Sequence, residues 1–114
     1  MKRFIDETVS FKITVVNGKK NAKGVIDCRN GHEIGDSYSC EYGCPAEFCQ
    51  KAMLKAFPIM EAARAGGDLR NLGGDSATSI CFCCPDGVVT FGLEAEKHCI
   101  DHVEEQSLSQ STSD

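Results

Sequence analysis

The sequence predicts an α+β fold: a small single domain with a short, mainly antiparallel sheet packed against one main helix. Three observations predict it. An alternating apolar strand lies near the N-terminus, an Ala-rich run with helical spacing occupies the middle, and two short apolar runs flank Pro85-Asp86-Gly87. With 114 residues, 41% hydrophobic and 25% charged, the chain is long enough for one core and too short for two ordinary domains. The domain is placed at residues 1–95, and a polar C-terminal tail, partly helical or disordered, at residues 96–114.

In residues 9–16, Val9, Phe11, Ile13 and Val15 alternate with Ser10, Lys12 and Thr14, the pattern of a half-buried strand rich in β-branched side chains. Residues 17–31 hold three glycines and three asparagines around Val25, Ile26 and Cys28, and read as a loop or hairpin with a short strand. A turn at residues 32–36 then leads into a second short strand through Tyr38 and Cys40. The turn, not catalysis, accounts for His32 and Asp36.

From Pro45 onward Phe48, Ala52, Leu54, Ala56, Phe57, Met60 and Ala63 recur at three- and four-residue spacing, and Gly66-Gly67 provides the stop. Pro45 suits a first helical turn. Pro58 predicts a kink or break, because an interior proline lacks the N–H its turn needs, so the expectation is helices near 45–56 and 58–65. Residues 66–79 read as a loop carrying two Gly-Gly-Asp copies. Residues 80–83 and 88–93 read as strands of a closing hairpin, with Asp86-Gly87 in its turn.

A net charge of −5 argues against a nucleic-acid surface, because phosphate binding needs a clustered excess of Lys and Arg. Lys19, Lys20 and Lys23 sit among glycines and asparagines and read as a solvated loop. The sequence holds no apolar run of the roughly 20 residues that a bilayer span requires, and acidic residues occupy the place of a signal peptide's apolar segment. The expectation is a cytoplasmic protein with no membrane association. In that reducing compartment eight cysteines point to metal ligation or redox chemistry rather than disulfides.

Seven of those cysteines are candidate ligands: Cys28, Cys40, Cys44, Cys49, Cys81, Cys83 and Cys84. Cys81 and Cys84 stand at C-x-x-C spacing, and Cys40 and Cys44 at C-x3-C spacing, both of which occur in zinc sites. A four-thiolate site would suit zinc or an iron–sulfur cluster, since soft ligands select those metals. Cys99 reads as a bystander, and His98 and His102 as part of a charged solvent face. The marks of acyl, phosphoryl and dinucleotide chemistry are missing.

Several motifs carry a resemblance as well. Lys12-Ile13-Thr14-Val15 is followed by Cys28 and Gly35-Asp36. Pro45-Ala46-Glu47-Phe48-Cys49 and Gly66-Gly67-Asp68 come next, then Cys83-Cys84-Pro85-Asp86-Gly87 and Val89-Thr90-Phe91. In this order and over residues 11–95 the chain resembles a family of small prokaryotic proteins, frequent in anaerobes, that has no assigned activity. The family's tryptophans in the helix and after G-G-D have no counterpart here. What the resemblance implies is a different set of four cysteines, Cys28, Cys49, Cys83 and Cys84, sharing only Cys84 with the set chosen by spacing.

Three functions follow as expectations. The first is a metal-binding domain holding zinc or an iron–sulfur cluster. The second is a thiol redox protein in which Cys49, near the helix N-terminus, attacks and Cys83 or Cys84 resolves. The third is an interaction module for an unidentified protein partner, accompanying a larger anaerobic oxidoreductase.

Overall fold

The structure, a computed structural model, describes residues 8–97. Glu96 and Lys97, placed in the tail by sequence, end the last strand, and Cys99, His98, His102 and the rest of the tail lie outside the described residues. Strand β1 is Val9–Gly18, β2 is Ser37–Cys40, helix α1 is Gln50–Arg64, β3 is Ser79–Cys83 and β4 is Val89–Lys97, with a 3-10 helix Leu69–Leu72 between α1 and β3. All pairings are antiparallel and the strand order is β2-β1-β4-β3, which is the α+β arrangement expected. The first and last strands are neighbours at the centre of the sheet.

The period-two pattern decides which face is buried. Val9, Phe11, Ile13 and Val15 of β1, Val89, Phe91, Leu93 and Ala95 of β4, and Ile80 and Phe82 of β3 all point to the covered face. Against them α1 turns Ala52, Ala56, Met60 and Ala63, one stripe along the helix. Large side chains come from the sheet and small ones from the helix, so the helix can lie close to the strands.

Helix α1 runs through Pro58 as one element, so the expected pair of helices does not form. The reason is orientation. Pro58 and the residue whose carbonyl it cannot serve, Leu54, both face solvent, and Leu54 is 72% exposed. Water can satisfy that carbonyl, so the proline costs a hydrogen bond without burying an unpaired group. The start of the helix also differs: residues 45–49 form a turn in which the Phe48 N–H donates to the Pro45 carbonyl, and Glu47 has a φ of 64°. That turn lets Phe48, 5% exposed, enter the core before the helix begins.

Residues 66–79 hold more structure than a loop. Asp68 caps the 3-10 helix by accepting the Arg70 N–H, and Leu69 is fully buried. Gly74 is required there, since a Cβ would stand 2.5 Å from the Ser79 carbonyl oxygen and 2.7 Å from that of Leu69. Arg64 at the end of α1 stacks its guanidinium over Phe11, Tyr42 and Phe57 and donates to the Glu41 and Tyr42 carbonyls, joining the β2–α1 connection to the helix. Among the described residues no helix is long and apolar enough to cross a membrane.

Candidate thiol site

One end of the sheet carries the site. There the 17–31 loop, the start of α1 and the β3–β4 turn converge, and each brings one cysteine: Cys28, Cys49 and Cys84 line a single cavity of about 240 Å³. Two hydrogen bonds hold the loop there. The Lys19 N–H donates to the Val88 carbonyl (2.8 Å) and the Asp27 N–H to the Lys19 carbonyl (3.1 Å). The loop contributes one isolated bridge, Lys20 to Ile26, in place of a strand. Lys51 of α1 meets Asp86 of the β3–β4 turn at 3.3 Å across the cavity mouth.

Cys84 has the most developed surroundings. The Gly87 N–H donates to the Cys84 carbonyl at 2.8 Å, and Gly87 takes a φ of 74° that a side chain would resist. The turn so formed folds back over its own first residue, and the N–H groups of Val88 and Val89 each reach the Cys84 Sγ at 3.4 Å. Burial pushes the thiol up, but the backbone amides of Val89, Val88, Asp86 and Gly87 together outweigh it and hold Cys84 below its ordinary value. This is the hydrogen-bonding pattern of a stabilised thiolate.

Cys49 is the N-cap residue of α1 with extended backbone, and its side chain makes no capping hydrogen bond. Its position beside the cavity follows from the 45–48 turn. Cys28 sits where the 17–31 loop turns again, with the Gly31 N–H donating to its carbonyl at 3.0 Å. Both are partly buried.

The cavity floor is aromatic. Phe91 packs edge-on to His32 (5.3 Å between centroids) and to Phe48 (5.2 Å), and Phe82 stacks on Phe91. His32, 2% exposed, is the one buried polar side chain among the described residues. Asn30 Nδ2 lies 3.1 Å from the Glu47 carbonyl and 3.2 Å from His32 Nε2. An amide nitrogen only donates, so His32 Nε2 accepts and Nδ1 carries the proton, which it gives to the Tyr38 hydroxyl at 2.9 Å. Burial, opposed by Asp36, lowers the His32 pKa and keeps the ring neutral. Asn30 thereby ties the Cys28 loop to the turn before Cys49.

The remaining candidates lie elsewhere. Cys81 and Cys83 fall in β3 on the face away from the helix; Cys81 is exposed beside Thr14 and Gly92, and the Cys83 Sγ lies 3.8 Å from Thr90 Oγ1 on the neighbouring strand. Cys81 stays within β3 on the face away from the helix while Cys84, three residues on, begins the turn and lines the cavity, so the C-x-x-C spacing does not bring the two thiols together. Cys40 ends β2 against the core, where burial, opposed by Arg64 and aided by Cys44, raises its pKa. Cys44 is exposed, with its Sγ 4.0 Å from the Phe48 carbonyl; burial and then the neighbouring Cys49 raise its pKa.

The cavity thus gathers three of the four cysteines implied by resemblance and only one of those chosen by spacing. Among the described residues no three Cys, His, Asp or Glu side chains form a group that could hold a metal ion. His32 spends both ring nitrogens inside the protein. Sequence reasoning missed the amide cradle around Cys84 and the Asn30–His32–Tyr38 chain. The Pro-Asp-Gly after Cys84 was the available signal for the first, and Asn30-x-His32 for the second. No family model, curated protein or solved structure matches the chain.

Proposed function

We propose that the protein is a thiol redox protein whose reactive group is the Cys84 thiolate, with Cys49 and Cys28 as partner thiols on the same cavity. The observation that carries this reading is the pair of backbone N–H groups directed at the Cys84 Sγ. A thiolate, not a thiol, attacks a disulfide, and those donors are fixed by the turn before any substrate arrives. The roles expected from sequence are reversed: Cys84 attacks and Cys49 resolves. A cytoplasmic setting belongs to the same proposal, since the thiols must begin reduced.

The test uses the full chain, reduced and then mixed with a small organic disulfide such as hydroxyethyl disulfide. Mass spectrometry of quenched samples locates the first mixed disulfide. The expected site is Cys84, and Cys84→Ser slows release of the small thiol about tenfold or more. First modification at the exposed Cys81, with Cys84→Ser as fast as the unaltered chain, sinks the proposal.

Thiolate ligation of a soft metal ion stands as a second reading, favoured by three cysteines on one cavity. Elemental analysis and visible absorption of anaerobically purified protein test it. Stoichiometric zinc or iron supports it, and a metal-free, fully folded preparation removes it.

A further inference from the structure

We propose that the cavity and the surface are joined by a thiol relay, in which oxidation received at Cys84 from a small organic disulfide passes to Cys49 and comes to rest as a Cys44–Cys49 disulfide. The relay rests on the reading of Cys84 as the attacking thiolate and adds the route and the end product. Its geometry lies in the position of Cys49, which lines the cavity shared with Cys84 and follows directly on the Phe48 carbonyl that the Cys44 Sγ approaches, close enough for its charge to act on Cys44.

The turn between Cys44 and Cys49 makes that second neighbourhood. Glu47 carries a side chain at a φ of 64°, a backbone conformation that most residues avoid, and the Phe48 N–H closes on the Pro45 carbonyl at 3.2 Å. The chain doubles back so that the Cys44 Sγ lies 4.0 Å from the carbonyl oxygen of Phe48, the peptide that joins Phe48 to Cys49. Cys44 is exposed and Cys84 is partly buried, so the pair formed with Cys44 opens to solvent and the pair formed with Cys84 opens to the cavity. The cavity, at about 240 Å³, admits a small disulfide and not a folded protein.

Each step balances. The Cys84 thiolate attacks a sulfur of R–S–S–R, forming Cys84–S–S–R and expelling R–S⁻. Cys49 loses its proton to water and attacks the Cys84 sulfur, forming Cys49–S–S–Cys84 and expelling the second R–S⁻. Cys44, likewise deprotonated, attacks the Cys49 sulfur and releases Cys84 as thiolate. The net reaction moves two electrons from Cys44 and Cys49 to the small disulfide, which leaves as two thiols.

The hydrogen bonds to Cys84 favour this direction. The N–H groups of Val88 and Val89 that stabilise the attacking thiolate also stabilise it as a leaving group, so disulfides made to Cys84 are short-lived. Cys44 lacks such donors and has its pKa raised by burial and by Cys49, so it is the poorer leaving group and the better place for the bond to stop.

The experiment oxidises the reduced full chain with one equivalent of hydroxyethyl disulfide, quenches with acid and alkylating reagent at increasing times, and maps disulfides by mass spectrometry. The expected product is Cys44–Cys49, preceded by Cys49–Cys84. Cys44→Ser should stop at Cys49–Cys84, and Cys84→Ser should slow formation of Cys44–Cys49 about tenfold. Cys81→Ser, on the opposite sheet face, should change nothing. The relay is overturned if Cys28–Cys84 is the stable product, or if Cys44–Cys49 forms equally fast in Cys84→Ser. Initial attack at Cys84 that ends in Cys28–Cys84 leaves the reactive thiolate in place and removes only the relay, whereas Cys44–Cys49 forming equally fast in Cys84→Ser removes the reactive thiolate as well. Attack elsewhere from the start removes both.

Discussion

His32 shows how a residue's surroundings reverse its sequence reading. A histidine four residues before an aspartate suggested a turn, and Asp36 does make one by accepting the Glu33 N–H. The ring itself is buried and held by Asn30 and Tyr38. A histidine whose folded pKa is lowered contributes stability that is fully present above its ordinary value of 6.5 and is lost as pH falls below it. Urea unfolding from pH 7 to pH 5 should therefore show a loss of stability in the unaltered chain that is smaller in His32→Gln. Equal losses in both would show that burial of this ring does not set the acid limb. None of this could be read from sequence, because Tyr38 reaches His32, and the Glu47 carbonyl reaches Asn30, only in the folded chain.

At the scale of elements, sequence reading did best where periodicity was long. The alternation from Val9 to Val15 placed β1, and the Pro85-Asp86-Gly87 signal placed the β3–β4 hairpin. Reading failed at Pro58, where the rule against interior prolines holds only if the freed carbonyl has nowhere to go. The face on which Pro58 falls was legible in principle. Counting from Ala52 and Ala56, it lies off the buried stripe. Pro58→Ala restores the N–H that the Leu54 carbonyl lacks and gives up some unfolded-chain restriction, for an expected net gain of about 1 kcal/mol or more. Chemical denaturation measures it, and a loss of stability would mean that the helix needs its proline to fit the sheet. Cys81 and Cys84, at C-x-x-C spacing, are separated by the fold: Cys81 lies within β3 on the exposed sheet face, and Cys84 begins the turn after β3 and lines the cavity.

For the whole molecule, the site depends on strand order. With β1 and β4 central, the 17–31 loop that follows β1 and the turn that precedes β4 emerge at the same end of the sheet, and α1 begins beside them. Cysteines at positions 28, 49 and 84 become neighbours for that reason alone, and their separation along the chain gives no hint of it. Among these converging cysteines Cys84 is the one held as a thiolate, by the backbone donors of its own turn. Alkylation rates measured across pH, cysteine by cysteine, test that claim most directly, because the midpoint of each profile reports ionisation and is independent of access. The expected midpoint for Cys84 lies below the ordinary thiol value of 9.0, with Cys40 and Cys44 above it. A Cys84 midpoint at or above those of Cys40 and Cys44 would contradict it.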